Sequence, residues 1–441
     1  MKIRGGVLVA AFAALVGSSS AFGQVQLPSP APGNFGATPP AATAAGVGVL
    51  GRPHPDYDPL GVRAGSFIVL PKVDLGEYFD SNVYSIDSGV KSDFYTDVAP
   101  DVLIDSDWEN HALDLDLGGD MKRYASQVSE NVTNAHAIAN GRLDVLNEVY
   151  ILGGGQYQLA HEDRTSPNSI VGQKNPTEYQ VAGLGLGYVH EPGRLGFRID
   201  AIGNYFTYNN AQTATGATIV ETDRNRFDYA VKPRLEYEIV PNYKAFVQAS
   251  GSWSTYQSTF DQFGFKRDSS GWEADAGTAI DVTNLITGEI YAGYLDQYYA
   301  DPRFKTAGGI GLGTNLLWTV TELTSVRLGA SRSMQETIVN NGAGGAALVE
   351  ASSDLTTAAT LSVEHELLRN VLLQAGLTYG QDDFQGITRL DNTYGANAEA
   401  RYLINRVWTA SLDLSYQDRV SNQSVNNYQR EIVSAHLGVH F

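Results

Sequence analysis

From Phe67 to Phe441, apolar and polar residues alternate with a period of two, and no stretch carries the 3.6-residue period of a helix. Phe227, Tyr229, Val231, Pro233, Leu235, Tyr237 and Ile239 hold the odd positions, against Asp228, Lys232, Arg234, Glu236 and Glu238. Leu195, Phe197, Ile199, Ala201 and Tyr205 oppose Arg198, Asp200 and Asn204. Trp408, Ala410, Leu412, Leu414 and Tyr416 oppose Ser411, Asp413 and Ser415, and Leu113, Leu115 and Leu117 oppose Asp114 and Asp116. Successive side chains of a strand point to opposite faces, so each run makes a strand with one apolar face.

The pattern predicts strands over 67–79, 92–105, 108–122, 132–146, 148–161, 178–190, 194–207, 226–239, 242–256, 271–282, 287–298, 307–320, 324–336, 354–366, 370–380, 392–404, 407–418 and 429–441. A soluble sandwich also shows period two. Here, however, the connections alternate in length. Short turns such as 147–148, 191–194 and 321–324 interleave with long loops near 80–91, 123–131, 162–177, 208–225, 257–270, 299–306, 337–353, 381–391 and 419–428. Short periplasmic turns and long outer loops are the habit of transmembrane barrels, and aromatics gather near the strand ends as an interfacial girdle does. The expected fold class is all-β, a transmembrane antiparallel up-and-down β-barrel of eighteen strands, with sixteen as the alternative if one hairpin is misassigned. Pro71, Pro100 and Pro233 fall inside strands, which places them near strand ends or at bulges.

The two ends of the chain extend the picture. Lys2 and Arg4 precede the apolar run Val7–Val16 and a small-residue stretch ending at Gly23, which reads as a secretory signal over 1–23. The run is too short to span a bilayer as a helix. Residues 24–66 are rich in Pro, Ala and Gly and read as a flexible periplasmic arm, a segment open to partner binding. Residues 67–441 form the barrel. In the last strand Val433, Ala435, Leu437, Val439 and Phe441 share one face. That strand resembles the closing strand of bacterial outer-membrane barrels, and the resemblance implies that these residues form the C-terminal signal read by the barrel-assembly machinery.

Composition narrows the function classes. There are no cysteines, so disulfide and thiol chemistry are excluded. The net charge of −19 argues against nucleic acid as a partner. Charged residues make up only 18% while Gly (46) and Tyr (24) are abundant, a profile that a wall of alternating faces produces.

The segment Phe67–Tyr124 carries a more specific likeness. It contains Phe79-Asp80-Ser81-Asn82-Val83-Tyr84, then Val98-Ala99-Pro100, then Ser106-Asp107-Trp108 with His111. With Arg142-Leu143-Asp144-Val145 and His161-Glu162-Asp163-Arg164 it resembles the outer-membrane β-barrel porin family associated with bacterial exopolysaccharide gene clusters. The resemblance covers 67–441. It implies a bacterial outer-membrane location, outer-membrane lipid around the barrel, and exopolysaccharide or its export apparatus as a partner. The family has no catalytic residues to carry over.

Candidate chemistry lies in the lumen. Parity points Asp114, Asp116, Arg198, Asp200, Lys232, Arg234, Glu236, Glu238, Glu399, Arg401 and Asp413 inward. Such a wall suits a hydrated pore for passive passage of a hydrophilic solute or glycan, with no chemical step and no cofactor. Charges of opposite sign would either set a field across the pore or pair with wall neighbours. A barrel plugged by its own loops, acting as a structural protein or adhesin, is one rival; 208–225 and 337–353 are long enough to fold inward. A lipid-modifying enzyme is the other, and it is disfavoured because Ser434 and His436 face the lumen near the periplasmic end. The remaining histidines lack ligand spacing, and neither Asp80, Asp87 and Asp93 nor Asp382 and Asp383 have the spacing of a calcium loop, so no metal site is expected. Gly153–Gly155 and the run Gly308–Gly313 are followed by no helix pattern, which excludes a phosphate loop and leaves them to bend a strand or make room.

Overall fold

The computed structural model describes residues 47–170, 172–282, 285–340 and 349–441. The expected signal, 1–23, and the first part of the arm, 24–46, lie outside the described residues. Eighteen long strands carry the alternating pattern. They are β1 Phe67–Asp80, β2 Asp93–Ser106, β3 Ala112–Tyr124, β4 Val132–Leu146, β5 Val149–His161, β6 Glu178–His190, β7 Leu195–Tyr208, β8 Arg226–Val240 and β9 Tyr243–Tyr256. The second half holds β10 Ser269–Val282, β11 Ile286–Tyr299, β12 Ala307–Thr321, β13 Thr324–Gln335, β14 Ser353–Leu368, β15 Val371–Gln385, β16 Leu390–Leu403, β17 Trp408–Ser421 and β18 Tyr428–His440. Each pairs antiparallel with its chain neighbour, and β18 returns to β1 through a ladder from Lys72↔His440 to Asp80↔Ile432. The sheet closes on itself, so no edge is left with unpaired backbone groups, which a bilayer would not tolerate.

The outer face is apolar. Leu184 is 73% exposed, Leu186 67% and Leu412 63%, values that a protein in water would not sustain around its whole girth. On β8, Phe227 and Tyr229 mark one aromatic belt and Tyr237 the other, with Val231, Pro233 and Leu235 between them. Neighbouring strands extend the upper belt, where Tyr229 stacks on Trp253 with centroids 5.2 Å apart.

The prolines sit where their missing N–H is not needed. The β8–β9 ladder runs to Val231↔Gly251 and resumes at Arg234↔Gln248, skipping Pro233, whereas on the β7 side Pro233 stays in register with Ile199. The β2–β3 ladder likewise skips Pro100, passing from Val98↔Met121 to Asp101↔Gly118. Pro71 pairs with Val102 of β2 and stands just beyond the β18 ladder, where its carbonyl accepts from the Phe441 N–H (3.1 Å).

Three expectations are corrected. β3 begins at Ala112 rather than 108, because Ser106 Oγ accepts from the Leu113 N–H (2.7 Å) and Asp144 from the His111 N–H (3.0 Å), holding a wider turn with His111 at φ 66°. The loop expected over 381–391 is mostly strand: β15 runs to Gln385 and β16 starts at Leu390, with Asp382 in register with Asp391. Polar Gln381, Asp382, Asp383 and Gln385 occupy both faces here, broken only by Phe384, which erases the period-two signal while leaving the ladder intact.

The third concerns the arm. Residues 47–66 are docked. A short strand, Val62–Ala64, pairs with Val69–Phe67 of β1. Upstream of it the chain crosses the short-turn mouth to β13 and β14. The Val49 N–H donates to Ser325 Oγ (2.9 Å) and the Leu50 N–H to Glu364 Oε2 (3.1 Å). His54 Nε2 lies 3.7 Å from Glu366, Arg52 donates to the Glu322 carbonyl, and Arg406 donates to the Pro55 carbonyl (2.7 Å). Going back from His54 to Gly48 the chain climbs from the rim into the lumen. A Cβ at Gly48 would press against the Glu364 carboxylate and stand 2.7 Å from Arg327 Nη2, so any larger residue would have to move these side-chain ends.

Candidate functional site: the charged lumen

Period two places every other residue of each strand inside, and the charged side chains of the strands gather on that face, among buried apolar residues such as Leu152, Val189, Phe246 and Leu317. Most of the eleven residues that parity assigned inward are paired with neighbours on the same face. Arg198 and Asp200 lie 2.7 Å apart, Arg401 and Glu399 2.7 Å. Arg234 contacts Glu236 (2.5 Å) and Glu289 (3.0 Å), and Lys244 bridges Glu236 (3.2 Å) and Glu191 (3.0 Å). Asp116 meets His136 Nε2 at 3.1 Å, with Asp101 on the same nitrogen at 3.7 Å. Asp413 accepts from Ser411 Oγ (2.8 Å). Asp114 lies within electrostatic reach of Asp105 and Arg142, and Lys232 of Glu273 and Asp275. Glu238 contributes its backbone N–H to the Arg194 carbonyl (2.7 Å). The recurrent arrangement is a basic and an acidic residue two apart on one strand, side by side on the same face. These pairs neutralise one another along the wall and do not face each other across the pore.

The Gly-rich wall of β12 belongs to the same interior. A Cβ at Gly311 would meet Glu273 Oε1 at 2.6 Å, and one at Gly313 the Tyr291 ring at 2.2 Å. These glycines make room for side chains from β10 and β11 that lie along the wall.

Ser434 and His436 also line the lumen. His436 Nδ1 is 2.8 Å from Asp74 Oδ1, and Nε2 is 3.0 Å from Ser434 Oγ and 3.6 Å from Asp413. The connectivity is that of a hydrolase triad, but β18 is paired on both sides, so its backbone N–H groups are engaged in the ladders.

Towards the long-loop end lies a layer of ion pairs that sequence reasoning passed over. Arg430 pairs with Asp80 (2.7 Å) and Asp163 (3.4 Å), and Arg224 with Glu162 (2.9 Å) and Glu221 (2.7 Å). Arg164 pairs with Glu130 (2.7 Å), Arg389 with Asp391 (2.5 Å), and Arg267 with Asp261 (2.9 Å) and Glu350. Burial pushes Glu350 up to about 7, against the pull of Arg267. Asp163 is exposed, and Arg430 beside it and the Thr165 N–H hold its carboxyl below its usual range. A signal for part of this layer was present in the sequence: Arg226 with Asp228 and Arg389 with Asp391 repeat the two-apart spacing seen lower in the lumen.

Two long loops meet above this layer. Asn168 Oδ1, in the β5–β6 loop, accepts from Thr337 Oγ1 (2.8 Å) and the Ile338 N–H (3.1 Å) of the β13–β14 loop. Arg419 of β17 donates to the Thr165 carbonyl. Between loops and wall lies a cavity of about 830 Å³.

Residues 54–441 match the family described as Putative beta-barrel porin 2. The chain belongs to that family. The porin is therefore an outer-membrane barrel of a bacterium, with porin-like character, and its long loops face outward by the habit of such barrels. No curated protein matches it. Among solved structures it is similar to the copper transporter OprC, at 11% identity and a TM-score of 0.46 over 86% of this chain and 84% of that one. It is also similar to the outer membrane protein OpdK from Pseudomonas aeruginosa (10%, 0.42, 85% and 98%) and to the siderophore receptor PirA from Pseudomonas aeruginosa (9%, 0.42, 85% and 80%).

Proposed function

We propose that the porin gives passive passage to a hydrophilic solute or glycan, and that its role is linked to exopolysaccharide export. The observation that carries the reading is the wall. Charged side chains, paired two apart along the strands, line the interior from Asp114 on β3 to Asp413 on β17. A paired wall keeps water and polar solutes at low cost and does not hold one ion fast. The reading includes no chemical step, cofactor or nucleic acid. Its partners are outer-membrane lipid on the apolar face, the assembly machinery at Val433–Phe441, and the exopolysaccharide or its exporter at the periplasmic mouth.

The test is single-channel recording of the refolded barrel in a planar bilayer in KCl, followed by addition of the host's exopolysaccharide. Conductance steps blocked by the polymer support glycan passage. Steps indifferent to it leave a general porin. A second reading, a loop-closed structural protein, is favoured by the Asn168–Thr337 seam over the lumen and by residues 47–58 across the other mouth. A folded barrel that stays silent would select it.

A further inference from the structure

We propose that the outer cavity binds an acidic saccharide, with Arg419 as the residue that receives its oxyanion. The inference rests on the passage reading and names the class of its solute. The cavity, about 830 Å³, is of the size that holds small ligands. Six cationic side chains border it, Arg164, Lys174, Arg224, Arg267, Arg389 and Arg419, against three carboxylates, Asp223, Asp261 and Glu350. Glu130, Glu162 and Asp391, which pair with Arg164, Arg224 and Arg389, do not border the cavity, so these guanidinium groups reach it while their counterions stay outside its lining.

Arg419 differs from the rest. It is 7% exposed, and among the described residues no carboxylate lies within ion-pair distance of it. One Nη donates to the Thr165 carbonyl, the group lies 4.8 Å over the Tyr428 ring, and its Nε has no acceptor. Asp382 is within electrostatic reach of Arg419 without pairing to it, and a buried guanidinium with an unused donor and no paired carboxylate is costly unless a ligand supplies both. A carboxylate or phosphate does so, because it accepts from the guanidinium fork through two oxygens. Asn168, whose Oδ1 is taken by Thr337 and Ile338, borders the cavity from the facing loop and adds a neutral polar group there. The chain is strongly acidic overall, at −19, so anion preference here is a property of this place and not of the molecule.

The test is calorimetric titration of the full-length folded barrel in detergent with trigalacturonate, with maltotriose as the neutral counterpart and inorganic phosphate as a free anion. Trigalacturonate is expected to bind at least about tenfold more tightly than maltotriose, the range one charge-assisted contact supplies. Arg419→Gln should remove that preference, Arg419→Lys should keep part of it, and added salt should weaken it. Equal binding of the two trisaccharides, or a preference unchanged in Arg419→Gln, overturns the proposal. Phosphate binding as tightly as trigalacturonate assigns the seat to a free anion and overturns the saccharide. If Arg419→Gln does not fold, a wild-type preference insensitive to salt overturns it equally. A silent bilayer with intact acid preference would sink the passage reading alone; normal conductance without the preference would sink this one alone.

Discussion

Asp80 shows what a single side chain does in this interior. It is fully buried, accepts from Arg430 through both carboxylate oxygens, and caps the turn after β1 by accepting from the Asn82 N–H (2.9 Å). Removing it leaves Arg430 with the longer contact to Asp163 alone. Breaking a buried pair by deleting one partner costs about 3–5 kcal/mol. Asp80→Ala should lose that much in urea unfolding of the barrel refolded into vesicles, and a loss below about 1 kcal/mol would class the pair with surface bridges. Glu350 tests the opposite sign. Its carboxyl is raised to about 7 in the folded protein, with Arg267 and Asp261 as the charged groups facing it. The folded state therefore holds a proton that the unfolded chain has already released, and stability falls as pH rises from the ordinary carboxyl value through 7. The difference in unfolding free energy between wild type and Glu350→Gln should shrink in that window as pH drops. Wild type losing stability relative to Glu350→Gln as pH falls would show that the ion pair, not burial, governs the group.

At the scale of a strand, the sequence is nearly transparent where lipid lies outside. Lipid demands an apolar residue at every second position, so β4 and β6 were legible to the residue. Above the bilayer that demand ends. The outer stretch of β15, with Gln381, Asp382 and Asp383, continues the ladder with polar residues on both faces and reads as loop. The rule also gives a test. Leu184 sits midway along β6 with its side chain outward. Leu184→Arg should cost about 2–4 kcal/mol in unfolding from vesicles. The same substitution should be nearly silent if that face were wetted, since surface changes in water rarely exceed about 0.5 kcal/mol.

On the scale of the whole barrel, what stayed hidden is what joins residues far apart in sequence. Arg419 meets Thr165 across 254 positions and Val49 meets Ser325 across 276, and no periodicity announces such contacts. The arm was read as flexible because Pro, Ala and Gly cannot bury a core of their own. Residues 47–58 need none: they borrow the lumen wall, using their backbone N–H groups and a glycine in place of apolar side chains. That segment starts beside β1 and reaches β13 and β14, so it must cross the periplasmic mouth, and solute passing there must pass it. Deleting residues 47–58 should leave the barrel folded, because no barrel ladder includes them. It should also raise unitary conductance in the planar bilayer. Ser325→Ala with Glu364→Ala, which removes the acceptors for Val49 and Leu50, should move conductance the same way by a smaller step. If the deletion left conductance unchanged while the barrel stayed folded, the narrowest point would lie at the outer seam of Asn168 and Thr337, and the arm would be packing without obstruction.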